Sequence, residues 1–153
     1  MKRLLAAGAV ALATTLALAG CSGDSPGLEG AHAEWGEAMV SGGTYETRLG
    51  AMWAPLADSS GYGALDGVIN IGIEDERYLG TIEMHCTGVD TATFHIRMAA
   101  ADSTMVYSRE VSCADSPLVV EEAPRLVEGL AAMAGSDAGD GAWAVIFHRA
   151  EAP

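Results

Sequence analysis

Apolar and polar side chains alternate with a period of two in three consecutive stretches of the second half of the chain. Because neighbouring side chains of a β-strand point to opposite faces, this period predicts strands with one buried face. Turn-forming residues separate the stretches at 88–91, 101–103 and 115–117. The residues predicted to face inward are Ile82, Met84 and Cys86 in 81–87, Phe94, Ile96 and Met98 in 92–100, and Met105, Tyr107, Val111 and Cys113 in 104–113.

Further strands are predicted at 44–53, 67–74, 117–122 and 141–149. The stretch 125–134 fits either a short helix opened by Pro124 or, because of Gly129 and the rhythm of the neighbouring strands, another strand, which we favour. Sheets bury their apolar face on another layer, so seven or eight such strands predict an all-β fold, a two-layer antiparallel β-sandwich. The inward residues expected in three of these strands are Tyr45, Leu49 and Trp53; Ile69, Ile71 and Ile73; and Trp143, Val145 and Phe147.

Cys86 and Cys113 both fall on inward faces, which favours a buried disulfide between them. Closing the loop between positions 86 and 113 would stabilise the fold by about 3.5 kcal/mol according to the chain-entropy account. Two alternatives stay open. The first is a metal site, which needs further ligands at short spacing, and His85 beside Cys86 is the only such neighbour. The second is a redox pair, which more often has the spacing Cys-x-x-Cys.

The first twenty residues have the order of a secretory signal: the positive charges of Lys2 and Arg3, then an uncharged apolar run over 4–18. This run is shorter than the roughly 20 residues of a spanning helix, and no later stretch is long enough to span a membrane. We predict a cleaved signal peptide at 1–20, a flexible tether at 21–34 and one domain at 35–153.

Leu18-Ala19-Gly20-Cys21 resembles the lipobox of bacterial lipoproteins. The resemblance implies that the Cys21 thiol receives a diacylglyceryl group and that the chain is cut just before it. Two acyl chains give stable anchoring, so the expected location is the extracytoplasmic face of the cell membrane, with membrane lipid as the partner.

The formal charge of the chain is −13, and the predicted signal contributes two positive charges and no acid. The rest of the chain therefore carries about −15, with six arginines and no lysine. Such a surface repels phosphate backbones, which excludes nucleic acid as an expected partner.

From Tyr78 onward the chain resembles small, largely uncharacterised lipoproteins and secreted proteins of high-GC Gram-positive bacteria. The shared pattern is a strand ending in Cys86-Thr87-Gly88, two further strands reaching Cys113, and a late Gly141-Ala142-Trp143-Ala144-Val145 strand. This resemblance covers about half of the mature chain and implies a lipobox-anchored sandwich with a disulfide. It carries no catalytic residues to this sequence.

No motif of a nucleophile elbow, zinc protease, phosphate-binding loop or dinucleotide fold is present, so we expect no enzyme and no cofactor. If Thr87 pairs with Thr93, His85 lies opposite His95, and two imidazoles there are weak candidates for Cu(II) or Zn(II). Two polar residues on a solvated sheet face explain the same pattern without metal. Met84 and Met98 fall on the inward face, which counts against a copper site shared with the histidines.

Two other features are candidate binding sites. The loop 137–141 offers Asp137 and Asp140 for Ca²⁺, although turn formation accounts for it. Exposed aromatic rings would indicate sugar binding, with packing the simpler role for each; the candidates are Trp35, Trp53, Tyr62 and Tyr107. The expected function is a non-enzymatic envelope lipoprotein that binds an unidentified protein or carbohydrate. The alternatives are a metal-binding lipoprotein using His85 and His95, and an unrecognised envelope enzyme.

Overall fold

The computed structural model describes residues 30–44, 46–58, 69–138 and 140–153, without the side chains of Asp58, Asp75 and Glu76. The predicted signal peptide, Cys21, Tyr45 and Tyr62 lie outside the described residues. One helix and seven strands make up the described part, which confirms the all-β prediction. The elements are α1 (Ala31–Ser41), β1 (Arg48–Pro55), β2 (Ala57–Asp58), β3 (Ile69–Thr87), β4 (Thr91–Ala100), β5 (Ser103–Ser112), β6 (Leu118–Ser136) and β7 (Ala142–Arg149).

The strands form one sheet in the order β1-β7-β3-β6-β4-β5, and neighbours on this path are antiparallel. The short β2 pairs in parallel with the end of β6. β3 and β6 have 19 residues each, several times the usual strand length, because each merges two predicted strands. The stretch 125–134 is part of β6, so the helix alternative is not adopted. Pro124 is accommodated because residues 122–124 bulge opposite Gly80.

The sheet folds over on itself. Phe94 on β4 and Trp143 on β7 pack edge to face with ring centroids 6.2 Å apart, although β3 and β6 lie between their strands. In a flat sheet those strands would be about 14 Å apart, since neighbours are spaced by about 4.8 Å. The two halves of the sheet therefore pack face to face as two layers around one core. Its largest fully buried side chains are Trp143, Phe94, Phe147, Leu79, Ile82, Met84, Ile96, Met98, Leu130, Val127 and Val145.

The predicted inward residues of 81–87, β4 and β7 are confirmed as buried. Those predicted for the first part of β3, Ile69, Ile71 and Ile73, are half-buried and pack against the core. Met105 differs: its side chain is 36% exposed because β5 is the last strand of the sheet. β1 also departs from the prediction. A register shift beside Leu49 reverses which side chains face inward, so Met52 rather than Trp53 reaches the core.

Helix α1 begins at Ala31, four residues before the predicted domain boundary, and packs on β1 and β7. Its alanines and glutamates favour a helix, and Glu34 lies in the first turn, where a negative charge suits the helix dipole. Gly36 is buried against the indole of Trp53, leaving no space for a β-carbon. No helix among the described residues is long and apolar enough to cross a membrane.

Candidate functional site

The predicted disulfide is confirmed. Cys86 and Cys113 are joined with a Cα–Cα distance of 5.0 Å, and the Cys86 side chain is buried. Cys113 lies just after β5, in a single 3-10 turn spanning Cys113–Asp115. Because β6 and β4 separate β3 from β5 in the sheet order, the bridge fastens the two layers to each other.

The two histidines proposed as metal ligands do not face each other. β6 lies between β3 and β4, so His85 is opposite Ala144, whereas His95 is opposite Ser108 on one side and Met133 on the other. The predicted pairing of the two strands is wrong because the turn at 88–90 connects strands that each pair with β6. His95 Nδ1 lies 2.6 Å from the hydroxyl of Ser108.

Glu83 brings His85 together with a histidine that the sequence did not single out. Its Oε1 lies 3.0 Å from Nε2 of His148, and its Oε2 lies 3.4 Å from Nε2 of His85. The three side chains share one face of β3 and β7 and are half-buried. Throughout the described ranges, no three His, Cys, Asp or Glu residues are arranged to hold a metal ion. The contact between Glu83 and His148 joins β3 to β7.

The other candidates from the sequence do not converge on a site. Asp137 and Asp140 are exposed, and Asp140 lies 3.8 Å from the imidazole of His32. Of the candidate aromatic residues, the structure describes Trp35, Trp53 and Tyr107, and all three are half-buried rather than exposed.

Tyr107 has an unusual environment for an edge strand. Its hydroxyl oxygen is buried and has no hydrogen-bond partner in the described part of the chain. Burial is the main cause that raises the pKa of Tyr107 well above its usual range, and the nearby negative charge of Glu122 adds to it. The positive charge of Arg109 acts in the opposite direction and lowers the pKa. The Arg109 guanidinium lies 5.9 Å from the centre of the Tyr107 ring.

Arginines gather at the end of the molecule where β1 begins, β3 changes register and β7 ends. Arg48, Arg77 and Arg149 line a cavity of about 280 Å³, which we name the arginine cavity. Its other lining residues are Leu49, Gly72, Ile73 and Glu74. An adjoining cavity of about 540 Å³ shares Arg77 and Arg149. Sequence analysis missed this group because its members are far apart in the chain and only the pairing of distant strands brings them together.

Comparison with known proteins gives no relative. No protein-family model matches the chain. No curated protein and no solved structure matches it either.

Proposed function

We propose that this chain is an exported lipoprotein and that its β-sheet domain is a non-enzymatic binding or interaction module. Acylated Cys21 would hold the domain to the extracytoplasmic face of the cell membrane. The observation that carries the proposal is the sequence Leu18-Ala19-Gly20-Cys21 at the end of an apolar run that follows two positive charges. The cysteine thiol is the nucleophile that would form the thioether with the lipid.

The Cys86–Cys113 bridge supports the proposal independently of the lipobox. Structural disulfides form and persist in oxidising compartments outside the cytoplasm. A folded domain that starts close behind the anchor also suits a protein held near a membrane, since 21–30 leaves a short connection to α1.

Metabolic labelling tests the anchor. A bacterial host expressing the full chain is supplied with an alkyne-bearing fatty acid, and the purified protein is examined for label and for its N-terminal residue by mass spectrometry. We expect label on the wild type, with an N-terminus at Cys21, and no label on Cys21→Ser.

Cys113→Ala is the matched control, because it removes a different cysteine and leaves the lipobox intact. It should retain the label. An unlabelled wild type, or label that persists in Cys21→Ser, would refute the anchor.

A further inference from the structure

β5 is the last strand of the sheet, and in the described part of the chain it pairs with β4 alone, residue for residue over its whole length. The amide of Cys113 donates to the carbonyl of Asp90, a pair that continues the register of these two strands. Because bonded and non-bonded positions alternate in an antiparallel pair, the odd-numbered residues of β5 bond to β4. The even-numbered residues direct their N–H and C=O groups away from β4, to the outer edge of the sheet; they include Thr104, Val106, Ser108 and Glu110.

β5 lacks the common features that protect an edge strand. Natural sheets often place proline, lysine or a bulge there, because an open edge is a template for another strand. β5 contains no proline and no lysine, and its pairing with β4 has no register shift. The side chain of Val106 is 53% exposed. The strand at the opposite end of the sheet differs, since β1 has a register shift beside Leu49 and ends at Pro55.

We propose that β5 pairs antiparallel with β5 of a second copy of this chain, so that the two sheets join across a two-fold axis. Such an axis brings the same strand of both copies together, and main-chain hydrogen bonds hold the added strand. The inference rests on the proposed function in one respect: it names the partner of the interaction module. Strand pairing does not need the lipid, so either proposal can fail without the other.

One register suits the side chains of both copies. The outward-directed residues must pair with each other, and the best arrangement places Ser108 opposite Ser108 of the second copy. Tyr107 then lies opposite Arg109 of the second copy, at a closely spaced position where a cation can contact an aromatic ring. Within one copy the Arg109 guanidinium already lies 5.9 Å from the centre of the Tyr107 ring. A shift of two residues would set Arg109 opposite Arg109 in one direction and Tyr107 opposite Tyr107 in the other.

The charges of the two copies are complementary in this register. Arg97 on β4 is paired with Val106 of its own copy, and Val106 lies opposite Glu110 of the second copy. The three residues form one row on the outer face, with the backbones of Arg97 and Glu110 about 10 Å apart, within the combined reach of these side chains. β5 itself carries one arginine and one glutamate, although the chain outside the signal carries about −15. The two acidic copies therefore meet along a strand of zero formal charge, which limits their repulsion.

Cysteine crosslinking of the full chain tests the register. All variants carry Cys21→Ser and are kept in a neutral detergent, so the result does not depend on the lipid. Ser108→Cys should give a disulfide-linked dimer with a mild oxidant, because hydrogen-bonded partners have Cα atoms about 5.5 Å apart, within the range of a disulfide. Mass spectrometry of the peptides locates the bridge, and circular dichroism melting shows that each variant is folded.

Glu110→Cys is the matched control. The residue is exposed on the same face as Ser108, but its two copies would lie about 13 Å apart, beyond the reach of a disulfide. It should crosslink to itself about tenfold more slowly, whereas a mixture of Val106→Cys and Glu110→Cys should crosslink to each other. Equal rates for Ser108→Cys and Glu110→Cys, as chance collision in shared micelles would give, overturn the proposal.

Val106→Pro tests the strand pairing without an added cysteine. The N–H of Val106 points away from β4, so proline blocks the outer edge and leaves the pairing with β4 in place. In sedimentation at increasing protein concentration, the parent and Val106→Thr, which keeps the N–H, should dimerise alike. Val106→Pro should need a concentration about tenfold higher or more, because it removes one hydrogen bond from each copy. A parent that stays monomeric, or a folded Val106→Pro that dimerises like the parent, overturns the proposal; if Val106→Pro does not fold, the crosslinking rates decide.

Discussion

Phe94 and Trp143 meet edge to face at an interplanar angle of 84°, across the interior of a single sheet that has folded over on itself. Both side chains are almost completely inaccessible to solvent. Since their strands are three positions apart in the sheet, this contact exists only when the two layers are closed. The pair thus reports on the packing of the layers rather than on strand pairing.

Removing the Phe94 ring should destabilise the domain strongly. Phe94→Ala deletes a fully buried aromatic side chain and leaves a cavity, which costs about 3–5 kcal/mol. Urea unfolding followed by tryptophan fluorescence gives the change in the free energy of unfolding. Val106→Ala is a suitable control, because Val106 is 53% exposed and should change stability by less than about 0.5 kcal/mol. Equal effects of the two substitutions would show that the layers are not packed as described.

The Cys86–Cys113 bridge should make a second large contribution to stability. The bridge closes a loop of 27 positions and lowers the conformational entropy of the unfolded chain. Losing this restraint should lower the free energy of unfolding by about 3.5 kcal/mol. We expect Cys113→Ala to lower the urea midpoint, and dithiothreitol to lower the midpoint of the wild type by a similar amount. Dithiothreitol should have no further effect on Cys113→Ala. An unchanged midpoint after reduction would mean that the bridge contributes nothing to stability.

The sequence predicted the strands well because alternation is a local property. Each side chain of 92–100 is placed inward or outward by its position in its own strand, and Phe94, Ile96 and Met98 are buried as expected. The disulfide followed from the same parity, with Cys86 on a buried face. Local pattern and burial agree along β4, whereas in β7 the residues 142–147 are buried on both faces, which alternation alone did not predict.

Strand pairing was harder to predict from the sequence, because it depends on contacts between segments that are far apart in the chain. The pattern around Gly88 favours a hairpin that would join His85 to His95, yet β6 pairs with both strands and separates them. No local feature marks β6 as a strand of 19 residues. The Glu83–His148 contact and the arginine cavity depend on the same distant pairing, so the sequence alone could not identify them.

Helix α1 offers a test of close packing. Alanine usually stabilises a helix by about 1 kcal/mol relative to glycine. Gly36→Ala should do the opposite here and cost about 1–3 kcal/mol, because its β-carbon would overlap the Trp53 indole. A double-mutant cycle with Trp53→Ala checks the cause: once the indole is gone, Gly36→Ala should be neutral or stabilising. A cost that is the same in both backgrounds would exclude the Trp53 contact as its origin.

Tyr107→Phe should leave stability unchanged or raise it at pH 7. The substitution removes a hydroxyl whose oxygen is buried without a hydrogen-bond partner in the described structure, and keeps the ring that packs beside the core. Chemical denaturation of both proteins at pH 7 gives the comparison. A clear loss of stability in the variant would show that the hydroxyl has a stabilising partner.

The difference between the two proteins should grow in alkaline solution. Burial raises the pKa of Tyr107 in the folded state, so the folded protein holds this proton at a pH where the unfolded chain, with an ordinary tyrosine pKa of about 10, has released it. Stability linked to this proton is complete below pH 10 and is lost as the pH rises above that value. The wild type should therefore weaken relative to Tyr107→Phe between pH 10 and pH 11.5, as measured by urea unfolding. Because the other tyrosines and the disulfide are common to both proteins, parallel pH profiles would contradict a raised pKa at Tyr107.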